Sequence, residues 1–344
     1  MSDSVSPAFR RLRVAEVVAE TADTRSFVFD ADLDYRPGQF LTLRIPSDRC
    51  GSVARSYSLS SSPHVSGRPA VTVKRVDDGY GSNWLCDNVE PGAEFDVLGP
   101  AGVFTPRSLD DDLLLFAAGS GITPIMSIVK SVLAAGRGRT LLVYANRDEN
   151  SVIFGAELND LVTGQPDRLV VVHWLESVQG LPGPAALRAL ARPFTDREAF
   201  VCGPPPFMEA ARKALRELDF PRARLHLEWF GPLDGNPFED AHAAQPEQPS
   251  EARPCGRVEV ELDGEQHAFD WPADRRLLDL LLEKGLDAPY SCREGACSAC
   301  ACRIVDGEVS MIRNEVLEEE DLAEGYILAC QALPLTETVK VSYD

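Results

Sequence analysis

Three cysteines in Cys292-Arg-Glu-Gly-Ala-Cys297-Ser-Ala-Cys300 have the spacing C-x4-C-x2-C, and a fourth, Cys330, follows in Ile-Leu-Ala-Cys-Gln. Four thiolates in that pattern hold a [2Fe–2S] cluster. The short spacings let one loop wrap the cluster, and the distant cysteine closes it from the other side. Gly295 can take backbone angles closed to residues with a side chain. Small Ala296, Ser298 and Ala299 let backbone N–H groups approach the sulfurs. The competing reading is a zinc site or a cluster of unrelated thiols, but zinc sites usually pair two short C-x2–4-C units or add histidines. No histidine lies near this loop. Cys302, two residues past a ligand, reads as a buried structural thiol.

Further residues upstream have ligand-binding character. Arg55-Ser-Tyr57-Ser58-Leu59-Ser60 combines a planar cation for a pyrophosphate, a flat ring for an aromatic face, and hydroxyls for ring nitrogens. On a strand, Arg55, Tyr57 and Leu59 share one face and Ser56, Ser58 and Ser60 the other. In Gly79-Tyr-Gly81-Ser82-Asn-Trp-Leu85, glycines and Ser/Asn precede an apolar run, as at a helix N-terminus that attracts phosphate. Gly119-Ser-Gly121-Ile-Thr123-Pro124 opens a helical pattern, with Thr123 the expected N-cap and Pro124 at the first helical position. That turn lacks the full G-x-G-x-x-G fingerprint of a dinucleotide site. Cys202 ends a short apolar run and fits a core thiol as well as a site residue. Glu228-Trp229-Phe230 fits an ordinary alternating strand end as well as a ligand contact.

These residues need a frame. Residues 10–106 contain six short alternating runs, at Arg13–Val18, Ser26–Phe29, Phe40–Arg44, Ser56–Leu59, Val71–Lys74 and Glu94–Leu98. Turn signals at Arg36-Pro-Gly38, Asp78-Gly79 and Pro91-Gly92 separate them, and the pattern predicts an antiparallel β-barrel. From Leu113 the period changes. Strands at Leu113–Ala118, Leu141–Tyr144, Leu169–Trp174, Ala199–Val201 and Leu225–Phe230 alternate with helical stretches, which predicts a doubly wound α/β domain. Gly231–Pro254 is rich in Pro, Ala, Gln and Glu without a period and reads as a mobile linker. Beyond it, a hairpin around Asp263-Gly264 precedes a leucine-rich helix, the cysteine loop and closing strands at Ala301–Val305 and Thr338–Ser342. The division is 1–108, 109–230, a linker over 231–254, and 255–344.

Composition narrows the partners. The net charge is −20. Residues 255–344 carry 20 acidic and 8 basic side chains, so the cysteine-bearing quarter alone holds −12. Nucleic acid is disfavoured, whereas a basic protein surface fits. No apolar run is long enough to cross a membrane, and residues 1–10 do not resemble a secretory signal. Nine cysteines, four of them assigned to a cluster, do not make a disulfide framework, so a cytoplasmic setting is expected.

The barrel motifs, taken together and in this order, resemble the flavin-binding domain of the ferredoxin–NADP reductase family. Ala118-Gly-Ser-Gly-Ile-Thr-Pro124 and Cys202-Gly-Pro-Pro-Pro-Phe-Met208 resemble that family's two nicotinamide-dinucleotide motifs, and the C-terminal part resembles a plant-type ferredoxin with its β-grasp sheet. The domain order is similar to that of reductase components of bacterial oxygenases. The likeness is closer still in Gly51-Ser-Val-Ala-Arg-Ser-Tyr-Ser58, Gly81-Ser-Asn-Trp-Leu-Cys-Asp87, His173-Trp-Leu-Glu-Ser177 and Cys292-Arg-Glu-Gly295.

The resemblance implies FAD, with Arg55 on its pyrophosphate, Tyr57 against the isoalloxazine, Ser58 near N5, and the helix start at Gly81 and Ser82 on the phosphates. It implies that the Gly119–Thr123 turn holds the pyrophosphate of NADH and that Cys202 and Gly203 lie by the nicotinamide. Phe230 would cover the flavin, with Glu228 near N5. Ser58, Cys202 and Glu228 would then surround the point of hydride transfer. The implied output is single electrons through the cluster to a separate terminal Rieske oxygenase. Clusters of this type lie at about −400 mV and Rieske centres at about −150 mV or above, so that step is downhill by roughly 6 kcal/mol. A reductase for an aromatic-ring or aryl-CoA oxygenase, or a redox sensor that holds a cluster without turnover, are the competing expectations.

Overall fold

The computed structural model describes residues 9–65, 67–231, 233, 236–238, 256–262, 264–286, 288–290, 293–295, 298–317 and 319–343. Strands β1 (Arg10–Thr21), β2 (Thr24–Phe29), β3 (Phe40–Ser47), β4 (Gly51–Ser58), β5 (Ala70–Lys74) and β6 (Glu94–Ala101) form an antiparallel sheet in the order β4-β3-β6-β1-β2-β5. Alternation turns Phe27, Phe29, Leu41, Leu43, Ile45 and Val97 into one core. A bridge between Leu59 and Val71 joins the two edge strands and rolls the sheet toward closure. This change of partner, from β3 to β5, interrupts the alternation expected through Ser60, so Ser58, Leu59 and Ser60 are all buried. Helix α1 (Tyr80–Asn88) lies across the barrel with Leu85 and Cys86 in its core.

Five parallel strands follow, β7 (Leu113–Ala118), β8 (Thr140–Asn146), β9 (Leu169–Leu175), β10 (Glu198–Cys202) and β11 (Leu225–Glu228), in the order β11-β10-β7-β8-β9. β7 and β8 are buried at every residue, which is why they read as continuous apolar runs rather than alternating ones. Helix α2 (Ile122–Ala135) covers one face and the helix Pro205–Arg216 the other. Strand order reverses between β7 and β10, where ligands bind in sheets of this kind.

The third sheet is mixed: β12 (Gly256–Leu262), β13 (Glu265–Trp271), β14 (Ala301–Asp306), β16 (Tyr326–Leu328) and β18 (Thr338–Ser342), in the order β13-β12-β18-β14-β16. The leucines of the helix Leu277–Glu283 pack against it. Two short strands, β15 (Val309–Met311) and β17 (Ala332–Pro334), pair separately. No helix among the described residues is long and apolar enough to cross a membrane.

Two expectations need correction. Thr123 is not the helix N-cap. Gly119–Gly121 form a 3-10 turn, α2 begins at Ile122, and the Thr123 hydroxyl donates to the Ser120 carbonyl at 3.0 Å. The segment after Phe230 is also not uniformly a free linker. Leu233 and Phe238 are buried against Ala54 and Leu98 of the barrel, and Asn236 donates to the Ser52 carbonyl at 3.0 Å and hydroxyl at 2.8 Å. The chain is therefore anchored as far as Phe238.

Candidate functional site

Antiparallel register sets Arg55 opposite Leu43, Tyr57 opposite Leu41 and Ser58 opposite Phe40. The start of α1 sits directly over this strand. A Cβ on Gly81 would meet Arg55 Cγ at 2.9 Å and the Tyr57 hydroxyl at 3.4 Å. Only glycine lets the helix N-terminus come this close to the arginine and the ring. The Ser82 hydroxyl is turned inward, accepting from the Val76 N–H at 3.1 Å, and so holds the turn before the helix. Burial pushes the Tyr57 phenol well above the usual tyrosine range, so it stays neutral. A cation, a neutral flat ring and a helix N-terminus together fit an aromatic dinucleotide.

At the carboxyl ends of β7 and β10 the two glycine turns interlock. A Cβ on Gly121 would fall 2.1 Å from the Cys202 carbonyl oxygen and 2.7 Å from the Gly203 nitrogen. A Cβ on Gly203 would fall 2.9 Å from Ala118 Cβ and from Phe207 Cδ1. Gly119 is in the left-handed region at φ +52°. Cys202 pairs in register with Glu228 on the adjacent strand. Both are buried, and burial pushes the Glu228 carboxyl up to about 8 and the Cys202 thiol well up. At neutral pH Glu228 is thus mostly protonated. Phe230, just beyond β11, is 46% exposed, free to present its ring to a ligand.

The barrel and the parallel sheet meet along a polar seam. Ser127 donates to the Ser61 carbonyl at 2.6 Å, Lys130 to the Ser60 carbonyl at 3.2 Å, and the Ser62 and Ser131 hydroxyls are 2.7 Å apart. This leans α2 on the chain two residues beyond Ser58. The seam thus joins the chain just beyond Ser58 to α2, and Gly121, immediately before α2, packs against Cys202 at the end of β10.

In the cysteine loop, Cys300 and Cys330 are buried and adjacent. The Cys330 N–H donates to Cys300 Sγ at 3.5 Å. Arg293, Gly295 and Ser298 all have positive φ, so the loop is tightly curled. Two buried cysteines, one beside the curled loop and the other donating its N–H to the first sulfur, fit a [2Fe–2S] cluster. Cys292 and Cys297, also expected as ligands, lie outside the described residues, as does Ala296. Cys302 is buried in the C-terminal core, and burial raises its thiol far above the ordinary range. The loop also touches the barrel. Ala299 is buried against Phe40 and Ala101. Phe40 is the cross-strand partner of both Ser58 and Ala101.

Comparison with known proteins agrees with this geometry. Family models match at residues 11–105 (oxidoreductase FAD-binding domain), 115–213 (oxidoreductase NAD-binding domain) and 260–335 (2Fe-2S iron-sulfur cluster binding domain). The ferredoxin reductase component of 3-ketosteroid-9-alpha-monooxygenase from Rhodococcus rhodochrous is 56% identical over 338 residues, 96% of each chain. The chain belongs to the FAD- and NAD-binding reductases that end in a [2Fe–2S] ferredoxin domain. The corresponding component from Mycolicibacterium smegmatis is 57% identical over 342 residues, covering 97% of this chain and 96% of that one. The reductase also shares its architecture with phthalate dioxygenase reductase, at a TM-score of 0.58 and 23% identity over 97% of this chain and 98% of that one.

Sequence reasoning missed three residues of the reductase that the fold brings to the site. Lys74, at the end of β5, lies 3.9 Å from the position of a Cβ on Gly119 and adds a cation to that turn. The buried Tyr144 hydroxyl accepts from the Ile153 N–H at 3.2 Å and donates to the Gly119 carbonyl at 3.3 Å, which fixes the turn. Gln331 touches the cysteine loop. A tyrosine ending the apolar run Leu141–Tyr144 was the only signal for that residue.

Charge around Arg147 bears on the coenzyme. From sequence, Arg147 offers a partner for a 2′-phosphate, while Asp148 and Glu149 repel one. In the reductase Arg147 is already paired with Asp23 at 3.1 Å, and Lys74 shares that carboxylate at 3.8 Å. Burial works against ionisation of Asp23, but hydrogen bonds from Thr21 and Thr24 and these two cations outweigh it, so its pKa is lowered. NADH should therefore exceed NADPH in kcat/KM by roughly tenfold or more, the equivalent of about 1.4 kcal/mol of unfavourable charge contact. Steady-state comparison of the two coenzymes decides the point, and a higher value for NADPH refutes it.

Proposed function

We propose that the chain is the reductase component of a 3-ketosteroid 9α-monooxygenase system, working in the cytoplasm and supplying a separate terminal Rieske oxygenase. Its working division is 1–108 for FAD, 109–230 for NADH, a connection over 231–254 and 255–344 for the cluster. FAD and the cluster, when bound, supply the change from a two-electron hydride to single electrons. The protein's part is to place their partners. Arg55 and the α1 start at Gly81 and Ser82 hold the flavin phosphates, and Tyr57 backs the ring. The Gly119–Gly121 turn, with Thr123 bracing its Ser120 carbonyl, holds the coenzyme pyrophosphate with Lys74. Ser58, Cys202, Gly203 and Glu228 line the hydride path, with Glu228 keeping a proton there at neutral pH, and Phe230 covers the flavin. Cys292, Cys297, Cys300 and Cys330 bind the irons.

One observation carries the electron path: Ala299, between two ligand cysteines, is buried on the Phe40–Ala101 pair, and Phe40 is directly opposite Ser58. The cluster loop and the flavin site are thus separated by little more than one strand. The full-length identity of 56–57% to two reductases of ketosteroid monooxygenases supports the steroid assignment. The test is reconstitution with purified oxygenases. With NADH, 9α-hydroxylated product should form at full rate only with a 3-ketosteroid oxygenase. Comparable turnover with an aromatic-ring or aryl-CoA oxygenase, and none with the steroid enzyme, would replace the assignment.

A further inference from the structure

Beside the fourth cysteine stands a glutamine that no step above uses. Gln331 is 3% exposed. Its side-chain nitrogen donates to the Arg293 carbonyl at 2.8 Å and to Cys330 Sγ at 3.5 Å. The Arg293 carbonyl can only accept, so the amide orientation is settled by chemistry: the NH2 group, with two hydrogens, faces it and the neighbouring sulfur, and the oxygen faces away. Arg293 is itself tied down. Its guanidinium pairs with Asp279 on the leucine-rich helix, and its φ is +60°. Gly295 makes room for the arrangement, since a Cβ there would lie 3.1 Å from Gln331 Cγ. The Gln331 backbone is held independently, by its N–H to the Leu328 carbonyl at 2.8 Å and its carbonyl from Ile312 at 3.0 Å.

We propose that Gln331 is a positioning residue that sets the reduction potential of the cluster, bonding a ligand sulfur with one hydrogen and the ligand-bearing loop with the other. The inference rests on the ligand set proposed above. Reduction adds an electron to the cluster and negative charge to its sulfurs. A donor on Cys330 favours that state, so its removal lowers the potential. The loop bond keeps the donor and the sulfur in register.

The test uses the full-length, cluster-loaded chain. In Gln331→Met, of similar length but without a donor, the one-electron midpoint should fall by roughly the equivalent of a tenfold change in equilibrium constant, about 59 mV. Iron content and visible absorption should match the parent. An unchanged midpoint in a fully loaded variant overturns the proposal. The second measurement uses the native sequence, so it does not depend on the variant folding. With nitrogen-15 in glutamine side chains only, hyperfine spectroscopy of the reduced cluster should show one weakly coupled labelled nitrogen, and its absence overturns the proposal. Failure of the underlying ligand assignment is separate. It would appear as a Cys330→Ser chain with an unaltered cluster spectrum.

Discussion

Gly121→Ala should lower NADH oxidation by about 100-fold or more while the flavin stays bound. The added methyl would fall 2.1 Å from the Cys202 carbonyl oxygen and 2.4 Å from its carbon. These are backbone atoms of a central strand, and no rotamer change relieves the clash. The two strand ends must part, by about 1 Å, and a displacement of that size at a reacting centre costs roughly 10²-fold. Overpacking of this kind also destabilises by roughly 1–3 kcal/mol, so thermal melting should accompany the assay. Gly164→Ala is the matched control. It has nothing within 4 Å of the added methyl and should keep the parental rate. Steady-state oxidation with ferricyanide as acceptor, corrected for flavin absorbance, gives the number. A Gly121→Ala rate close to that of the parent would mean that the interlocked turns do not position the coenzyme.

The second large effect is expected from a chain ending at Gln245. That end lies beyond the anchor formed by Leu233, Asn236 and Phe238, so the barrel keeps its cover. The truncated chain should bind FAD and reduce ferricyanide at the parental rate. Its support of the oxygenase should fall to background, because the single-electron outlet is gone. Residues 255–344, produced alone, should carry the cluster and accept electrons from a chemical reductant. Their charge of −12 predicts that added salt slows delivery to the oxygenase more than it slows ferricyanide reduction, through association rate. Full oxygenase turnover with the truncated chain would remove the cluster from the electron path and sink the proposed function.

Both arguments depend on a frame that was largely legible in the sequence. The six barrel strands announce themselves because their cores alternate and their turns carry Gly and Pro, as at Pro91-Gly92. The buried parallel strands announce themselves by continuous apolar runs, as in Leu113–Ala118. Local pattern fails where tertiary contact decides. Gly119–Gly121 wind into a 3-10 turn against Cys202, and that moves the start of α2 ahead of Thr123. Leu233 and Phe238 look like strays in a polar segment, yet a groove beside Ala54 and Leu98 takes them in. Lys74 and Gly119 are remote in the chain and meet only because α2 leans on the barrel. The register that sets Ser58 opposite Phe40 is a pairing between strands, which no single stretch encodes.

The contact at Ala299 separates two quantities that are easily confused. Driving force belongs to the groups around the sulfurs, whereas on the electron path proposed above the thickness of the insulator that an electron must tunnel through would be set by one methyl group, that of Ala299 on Phe40 and Ala101. Tunnelling falls off exponentially with that thickness. A bulkier side chain at this position would leave the voltage of the cluster alone and act as a resistor, throttling the current between the two halves of the molecule.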